Sequence, residues 1–404
     1  MKIVVMKFGG TSVSNVKKIR NVANIISKHY KKNKIVVVLS AMSGVTNELQ
    51  SYIDEVGCPP SMETDLVITS GEQVTIGLLS MILNKDGIKS LPLLGWQIPI
   101  ITDESHERGR ILNIDNKSIH HHFKLHDVIV VAGFQGISVN GNITSLGRGG
   151  SDTTAVAIAA SLQAERCDIY TDVEGVFTTD PNIELKAKKI DKVAYEEMLE
   201  MSSTGAKVLQ TRSVELAMKN NLTLQVLSSL TGVEGTYVIN ENQLIEKEIV
   251  SGVSYSKNES KVTISGIPDK PGISAKIFGL MASHNINVDM IVQNISQDGI
   301  TANMTFTVPL KDANIAKKIL DDKRDELNFS NLSTDSNIAK ISVVGMGMMS
   351  QSGVAEKMFK TLAENKINIL AISTSEIKIS VLIEKKYTQL GIKSLHSVYK
   401  LDKK

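Results

Sequence analysis

Cysteine is scarce: the 404-residue chain has two, Cys58 and Cys167, whose wide separation offers no metal-ligand spacing and points to a reducing compartment. An excess of one charge is missing too. With 45 Lys and Arg against 43 Asp and Glu, the net charge of +2 gives no reason to invoke nucleic acid or a charged membrane as partner. No apolar run reads as long enough to cross a bilayer, and Met1-Lys2 leads straight into a strand pattern with no signal peptide before it. The expectation is a cytoplasmic protein whose partners are small molecules and other subunits. Also absent are the phosphate-loop pattern GxxxxGK[ST] and any Ser/His/Asp or Cys/His arrangement of a covalent catalyst. His120-His121-His122 supplies no metal site either, because consecutive side chains point in different directions and Lys117 and Lys124 beside them read as solvated.

What the chain does have is ordinary globular composition, 42% hydrophobic and 22% charged, at a length that calls for two or three domains. Its organising stretch is KFGGTSV, Lys7 to Val13. The apolar segment Ile3-Val4-Val5-Met6 before it reads as a buried strand, and from Val16 apolar residues recur at helical spacing. Two glycines remove Cβ where backbone must approach something closely, Thr11 and Ser12 are placed to cap the helix, and Lys7 adds positive charge. Such a turn serves plain chain reversal as well as phosphate binding.

The same unit recurs. Ile35 to Leu39 runs into Ser40-Ala41-Met42-Ser43-Gly44-Val45-Thr46-Asn47, small hydroxyl residues suited to a ligand-facing loop of a parallel α/β sheet. Glu72, in Ser70-Gly71-Glu72, fits helix-start duty and ligand binding equally. After the Val128 to Phe134 strand, LGRGGSD at 146 sets an arginine and an aspartate among three glycines at a helix start, a poor arrangement for packing and a good one for anions. Cys167 to Val173, Gly175, Thr178-Thr179-Asp180-Pro181 and Gly205-Ala206-Lys207 complete a nucleotide-sized set of loops.

Six of these motifs, KFGGTSV, SAMSGVTN, SGE, LGRGGSD, TDVEGVFTTDP and GAKVL, stand in the order and approximate spacing of the aspartate kinases, and the chain resembles that branch of the amino-acid kinase family. The resemblance implies a mostly parallel α/β kinase domain over 1–240. It also implies ATP- and Mg²⁺-dependent phosphorylation of L-aspartate to 4-phospho-L-aspartate, the first step towards lysine and diaminopimelate, threonine and methionine. Lys7, Arg148 and Asp152 would be catalytic. Thr46, Glu72, Arg148 and Ser151 would hold aspartate, with Glu72 on the ammonium and Arg148 on the α-carboxylate. Nucleotide contacts would come from Lys7, Phe8, Gly9, Gly10, Ser40, Thr171, Asp172, Phe177, Asp180, Lys207 and Val208. The chain departs from the family pattern at Asn182, where arginine is common, at Gln210-Thr211, where His-Pro is common, and at Phe177, where tyrosine is also seen. An alternative is therefore an effector-sensing subunit with a degenerate kinase half; within the enzyme class, an acetylglutamate or glutamate kinase is disfavoured by SGE, LGRGGSD and the C-terminal repeat.

That repeat begins where the α/β pattern lapses, around Leu230 to Gln243. Strand 261–267, helix 272–284, strands 288–295 and 300–308 and helix 312–327 are followed by the same order at 340–346, 353–365, 369–374, 378–384 and 388–399. Asn285-Ile286-Asn287 and Lys366-Ile367-Asn368 occupy matching places. Two such units resemble tandem ferredoxin-like βαββαβ ACT domains, at 260–336 and 337–404, which implies amino-acid effectors (lysine and/or threonine) and a homodimer or larger assembly. Effector contacts would fall on Asp269, Gly272, Ile273, Asp289 and Gln293, and on Asn368 and Ile369. The second unit lacks a fourth strand, whereas Ile249 to Tyr255 alternates and has no evident partner. The expectation is that 249–255 completes the second unit's sheet.

Overall fold

The structure is a computed structural model that describes residues 1–404 except 204–207, 232, 245–247, 297–298, 404 and the side chains of 203 and 350. It divides into two compact units, each described by itself.

The first unit comprises Met1–Val176, Lys189–Ser202 and Lys207–Ile245. Its eight-stranded sheet runs Lys192–Ala194, Thr236–Ile239, Leu224–Ser228, Arg166–Thr171, Lys2–Phe8, Asn33–Leu39, Val128–Ala132, Ser90–Leu93. Among these pairings one is antiparallel, Leu224–Ser228 with Thr236–Ile239. The central strands read as unbroken apolar runs because they are covered on both faces: Val4, Val5, Met6, Val36, Val37, Val38, Ile129 and Val130 are all fully buried. Phe8 stands opposite Leu39 on one side and Tyr170 on the other, and Leu39 opposite Ala132. The strand ends are therefore level, and the loops that follow them share one edge, where α/β sheets bind ligands. A smaller sheet, Ile111–Ile114, Ile100–Thr102, Gln135–Ser138, Ile143–Ser145, feeds directly into the 146–149 loop.

Two expectations are corrected in this unit. The first helix starts at Val16 and is capped by Asn15, whose side chain accepts from Lys18 N at 3.0 Å; Gly10–Ser12 is a short 3₁₀ turn. Ser12 instead donates to Ser229 Oγ at 2.8 Å, joining two strand-end loops. The stretch Met62–Lys85 is long and apolar enough to cross a membrane by length and composition, although more than half of its most apolar part is buried. It is two helices, Met62–Ile68 and Gly71–Lys85, and Ile76, Leu79 and Leu83 of the second sit in the unit's core.

The second unit contains the two repeats and also Phe177–Lys188, a segment that sequence reading placed in the catalytic domain. Its contacts explain why it clusters there. Ile183 is buried in the core of the second repeat, Val253 N donates to Thr178 O at 2.7 Å, and Thr178 Oγ1 meets His396 Nε2 at 2.9 Å. The first repeat forms the sheet Asp289–Ile295, Thr301–Pro309, Glu259–Pro268, Asn331–Asp335; the second forms Gly252–Ser256, Ile338–Val344, Lys378–Glu384, Ala371–Thr374. Gly252–Ser256 pairs antiparallel with Ile338–Val344, so the first repeat lies in the chain between two neighbouring strands of the second.

The repeat is geometric as well as sequential. Gly272 (φ 94°) and Gly353 (φ 90°) precede the first helix of each repeat, and Asn285 (φ 55°) and Lys366 (φ 56°) end it in the left-handed conformation. Ile286 N and Ile367 N then bond back to Met281 O and Leu362 O, both at 2.9 Å, closing the helix ends as the two isoleucines enter the cores.

Between the repeats, buried Lys340 reaches Glu259 at 2.7 Å and Asp289 at 2.6 Å. Burial disfavours the charges of Lys340 and Asp289, but their attraction outweighs it and holds Asp289 below, and Lys340 above, the usual range. Lys340→Met should destabilise the chain by about 2 kcal/mol, less than a fully buried pair because Asp289 is partly solvated. An unchanged denaturation midpoint would show that solvent replaces the lysine without cost.

Candidate active site

A cavity of about 550 Å³ opens beside the C-terminal end of the Lys2–Phe8 strand. Three helices begin at its wall: Val45–Val56 with Thr46 and Asn47, Gly71–Lys85 with Glu72, and Gly150–Ser161 with Ser151 and Asp152. The positive ends of their dipoles favour anions. Lys7 and Asp152, both largely buried, form an ion pair with Nζ 2.5 Å from Oδ1. Ser40 lines the same cavity, its carbonyl bonded by Thr75 Oγ1 at 2.9 Å. Arg148 is exposed on the wall, between Gly147 (φ 73°) and Gly149 (φ 74°), and has no side-chain partner among the described residues. Gly149 has a second reason to be glycine. A Cβ there would fall 2.1 Å from Gln210 Cγ, because the Gln210 side chain lies against it.

Glu72 is the electrostatic anomaly. Its side chain is buried; Oε1 accepts from Ala41 N at 3.0 Å, and Oε2 has no hydrogen-bond partner. Burial pushes its pKa up to about 7, against two stabilising backbone N–H groups. A buried carboxylate oxygen facing a cavity without a partner is a place for a cation.

The structure thus brings together Lys7, Ser40, Thr46, Glu72, Arg148, Ser151 and Asp152. Among the described residues the other candidates do not line this cavity. Phe8 is fully buried and stacked on Tyr170 at 4.4 Å, so its side chain belongs to the core, a correction to its place among ligand contacts. Gly9 follows it, with N bonded to Tyr170 O at 3.4 Å, and Gly10 O accepts from Ser43 N at 3.2 Å. Thr171 and Asp172 bond to each other at 3.1 Å at a strand end, and Val208 is half-buried. Phe177 and Asp180 belong to the second unit, where the Asp180 carboxylate is already engaged by Asn182 N (2.9 Å), Asn182 Nδ2 (3.0 Å) and Tyr255 OH (3.0 Å). Lys207 lies outside the described residues.

Among the cavity residues that escaped sequence reading are Gln50, Ile68, Glu107, Phe134 and Ser145. Gln50 had a signal, standing four residues after Thr46 on one helix face. Glu107 and Phe134 adopt positive φ, 61° and 69°, on loops without a motif.

In the second unit, Asp269, Gly272 and Ile273 gather at the start of the Ile273–Ser283 helix, where Ser274 Oγ donates to Gln293 Oε1 at 3.2 Å. Asp289 is held instead by Lys340. In the second repeat Asn368 is exposed, and Ile369 packs against that repeat's core.

Residues 2–228 match the amino acid kinase family, and 262–328 and 341–399 match ACT domain models. An aspartate kinase of Pseudomonas fluorescens (strain SBW25) is 48% identical over 407 residues, which cover 100% of this chain and 98% of that one. The chain belongs to the aspartate kinase family. Among solved aspartate kinases, E. coli aspartokinase III in complex with aspartate and ADP (R-state) shares the fold, with a TM-score of 0.83 at 24% identity, covering 98% of this chain and 99% of that one. The same enzyme with lysine and aspartate (T-state) gives 0.77 at 25% identity over the same shares. As an aspartate kinase the chain is a phosphotransferase with a carboxyl acceptor, and a degenerate kinase half is set aside.

Proposed function

We propose that the cavity holds L-aspartate with its ammonium on Glu72, its α-carboxylate on Arg148, and Thr46 and Ser151 completing the pocket, so that Lys7 stabilises the phosphoryl group arriving from MgATP. The observation that carries this reading is the unpartnered, buried Oε2 of Glu72 in a cavity that also holds Arg148 and the Lys7–Asp152 pair. The side-chain carboxylate of aspartate is ionised at neutral pH and needs no general base. What it needs is relief from repulsion by the triphosphate, which Lys7 and the Gly150–Ser161 helix start supply, with Asp152 fixing the Lys7 ammonium in place. Gly9, Gly10, Ser40, Thr171, Asp172 and Val208 would take the nucleotide along the sheet edge. Mg²⁺ would be held through the nucleotide's phosphates, where it would neutralise developing charge; among the described residues no group of three or more His, Cys, Asp or Glu is placed to hold it. The product is 4-phospho-L-aspartate, committed to lysine, diaminopimelate, threonine and methionine synthesis in the cytoplasm.

The pH dependence of aspartate use tests the Glu72 assignment. Its folded pKa is raised to about 7, so the carboxylate is mostly protonated at pH 6 and mostly charged at pH 8. An ammonium binds only the charged form, so the aspartate KM should fall as pH rises through 7, about tenfold between pH 6 and 8. In Glu72→Gln the KM should be high and flat. A wild-type KM independent of pH over this range would remove Glu72 from the ammonium site.

Feedback would act through the repeats, in a homodimer or larger assembly. The lysine held by E. coli aspartokinase III supports lysine, and threonine is the other candidate. Asp269 and Gln293 are exposed and close to the helix start that would take an effector carboxylate. Asp269→Ala should desensitise the enzyme to its inhibitor while leaving uninhibited turnover intact; normal inhibition would take Asp269 out of the effector site.

A further inference from the structure

We infer that Arg212, which lines no part of the substrate cavity, is a positioning residue for aspartate binding, because its guanidinium staples together the two loops that carry Arg148 and Glu107. The inference rests on the reading that Arg148 holds the α-carboxylate.

Arg212 stands in the first turn of the Thr211–Lys219 helix. Nη1 donates to Leu146 O at 3.0 Å and Nη2 to Gly109 O at 2.8 Å. Leu146 lies two residues before Arg148, and Gly109 two residues after Glu107; Arg148 and Glu107 both line the cavity. The loops also touch directly. Gly109 N donates to Ser145 O at 2.8 Å, and Glu107 O lies where a Cβ on Gly147 would be 2.7 Å away. On the other side, buried Asp65 receives Glu107 N at 3.0 Å, Ser145 Oγ at 2.5 Å and His106 Nδ1 at 2.7 Å. Two charged groups from different helices therefore pin the same pair of loops.

Arg212 is the accessible one of the two. It borders a second cavity of about 500 Å³ together with Arg110, Thr153 and Glu215, whereas Asp65 is fully buried. Among the described residues no carboxylate forms an ion pair with Arg212, and its fork is directed at the two carbonyls. A lysine could hold only one of them at a time. Arg148 sits between two left-handed glycines without a side-chain partner, so its position depends on how firmly the loop around it is held. Loosening that loop makes each aspartate order it on binding, a cost in KM more than in kcat.

The test uses the full chain as Arg212→Ala and Arg212→Lys, with kcat and KM measured for both substrates. Arg212→Ala should raise the aspartate KM about tenfold, with the ATP KM and kcat within about twofold of wild type. Millimolar guanidinium, entering the cavity the side chain vacates, should restore much of that affinity, an effect a general loss of folding would not produce. Arg212→Lys should fall between the two and gives the same readout if the alanine variant does not fold. In Arg148→Ala/Arg212→Ala the second change should add little to the first, because it acts through the residue already removed. An unchanged aspartate KM in Arg212→Ala, equal rises for both substrates without guanidinium rescue, or full additivity would overturn the inference. If Arg148→Ala itself leaves the aspartate KM unchanged, the clamp reading fails first and this inference falls with it.

Discussion

Lys7→Met should lower kcat by roughly two to three powers of ten while leaving the aspartate KM within a few-fold of wild type, the scale seen when one preorganised electrostatic stabiliser is removed. The lysine ends the strand Lys2–Phe8, and its ammonium is fixed by Asp152 at 2.5 Å, in a largely buried position at the cavity wall. Its charge is therefore aimed before substrate arrives, and the transition state gains more from it than the ground state does. The change is thus expected to act on turnover more than on either KM. Steady-state kinetics on the purified variant checks this, and turnover near the wild-type value would remove Lys7 from the chemistry.

Arg148→Ala is the second large effect. An exposed guanidinium without a protein partner, facing a cavity, has its fork available for a carboxylate. Truncating it leaves the α-carboxylate of aspartate desolvated and unpaired, so kcat/KM for aspartate should fall by about two to three powers of ten. The ATP KM should move little, because Arg148 is assigned to the amino acid alone. Equal losses for both substrates would mean that Arg148 shapes the loop and does not grip the substrate.

What the sequence made legible were contiguous features with a local cause. The buried runs at Val4, Val36 and Val130 declare a doubly covered sheet, and the glycines around Arg148 declare a loop that no side chain could fill. The tandem repeats were readable because one order of elements recurs, with Asn285-Ile286-Asn287 and Lys366-Ile367-Asn368 in matching places where both helices end in the left-handed conformation. What escaped depends on long-range placement. Phe8 alternates correctly for either face of a strand covered on both sides, and only the stacked Tyr170 reveals that it faces the core. Thr11 and Ser12 look like caps, but the chain takes one more turn before Asn15 does the capping. The ties from Phe177–Lys188 to Val253 and His396 link residues far apart in sequence, as does the one from Asp289 to Lys340. Glu107 and Phe134 reach the cavity from loops that carry no motif.

The most direct test of the central claim, that this cavity phosphorylates the side-chain carboxylate of aspartate, is hydroxamate trapping of the acyl phosphate. Purified full-length chain with MgATP, aspartate and hydroxylamine should form aspartyl hydroxamate in step with ADP, with glutamate a poor substitute and Lys7→Met nearly silent. No ATP-dependent hydroxamate from the wild-type chain, or equal amounts from Lys7→Met, would contradict the account.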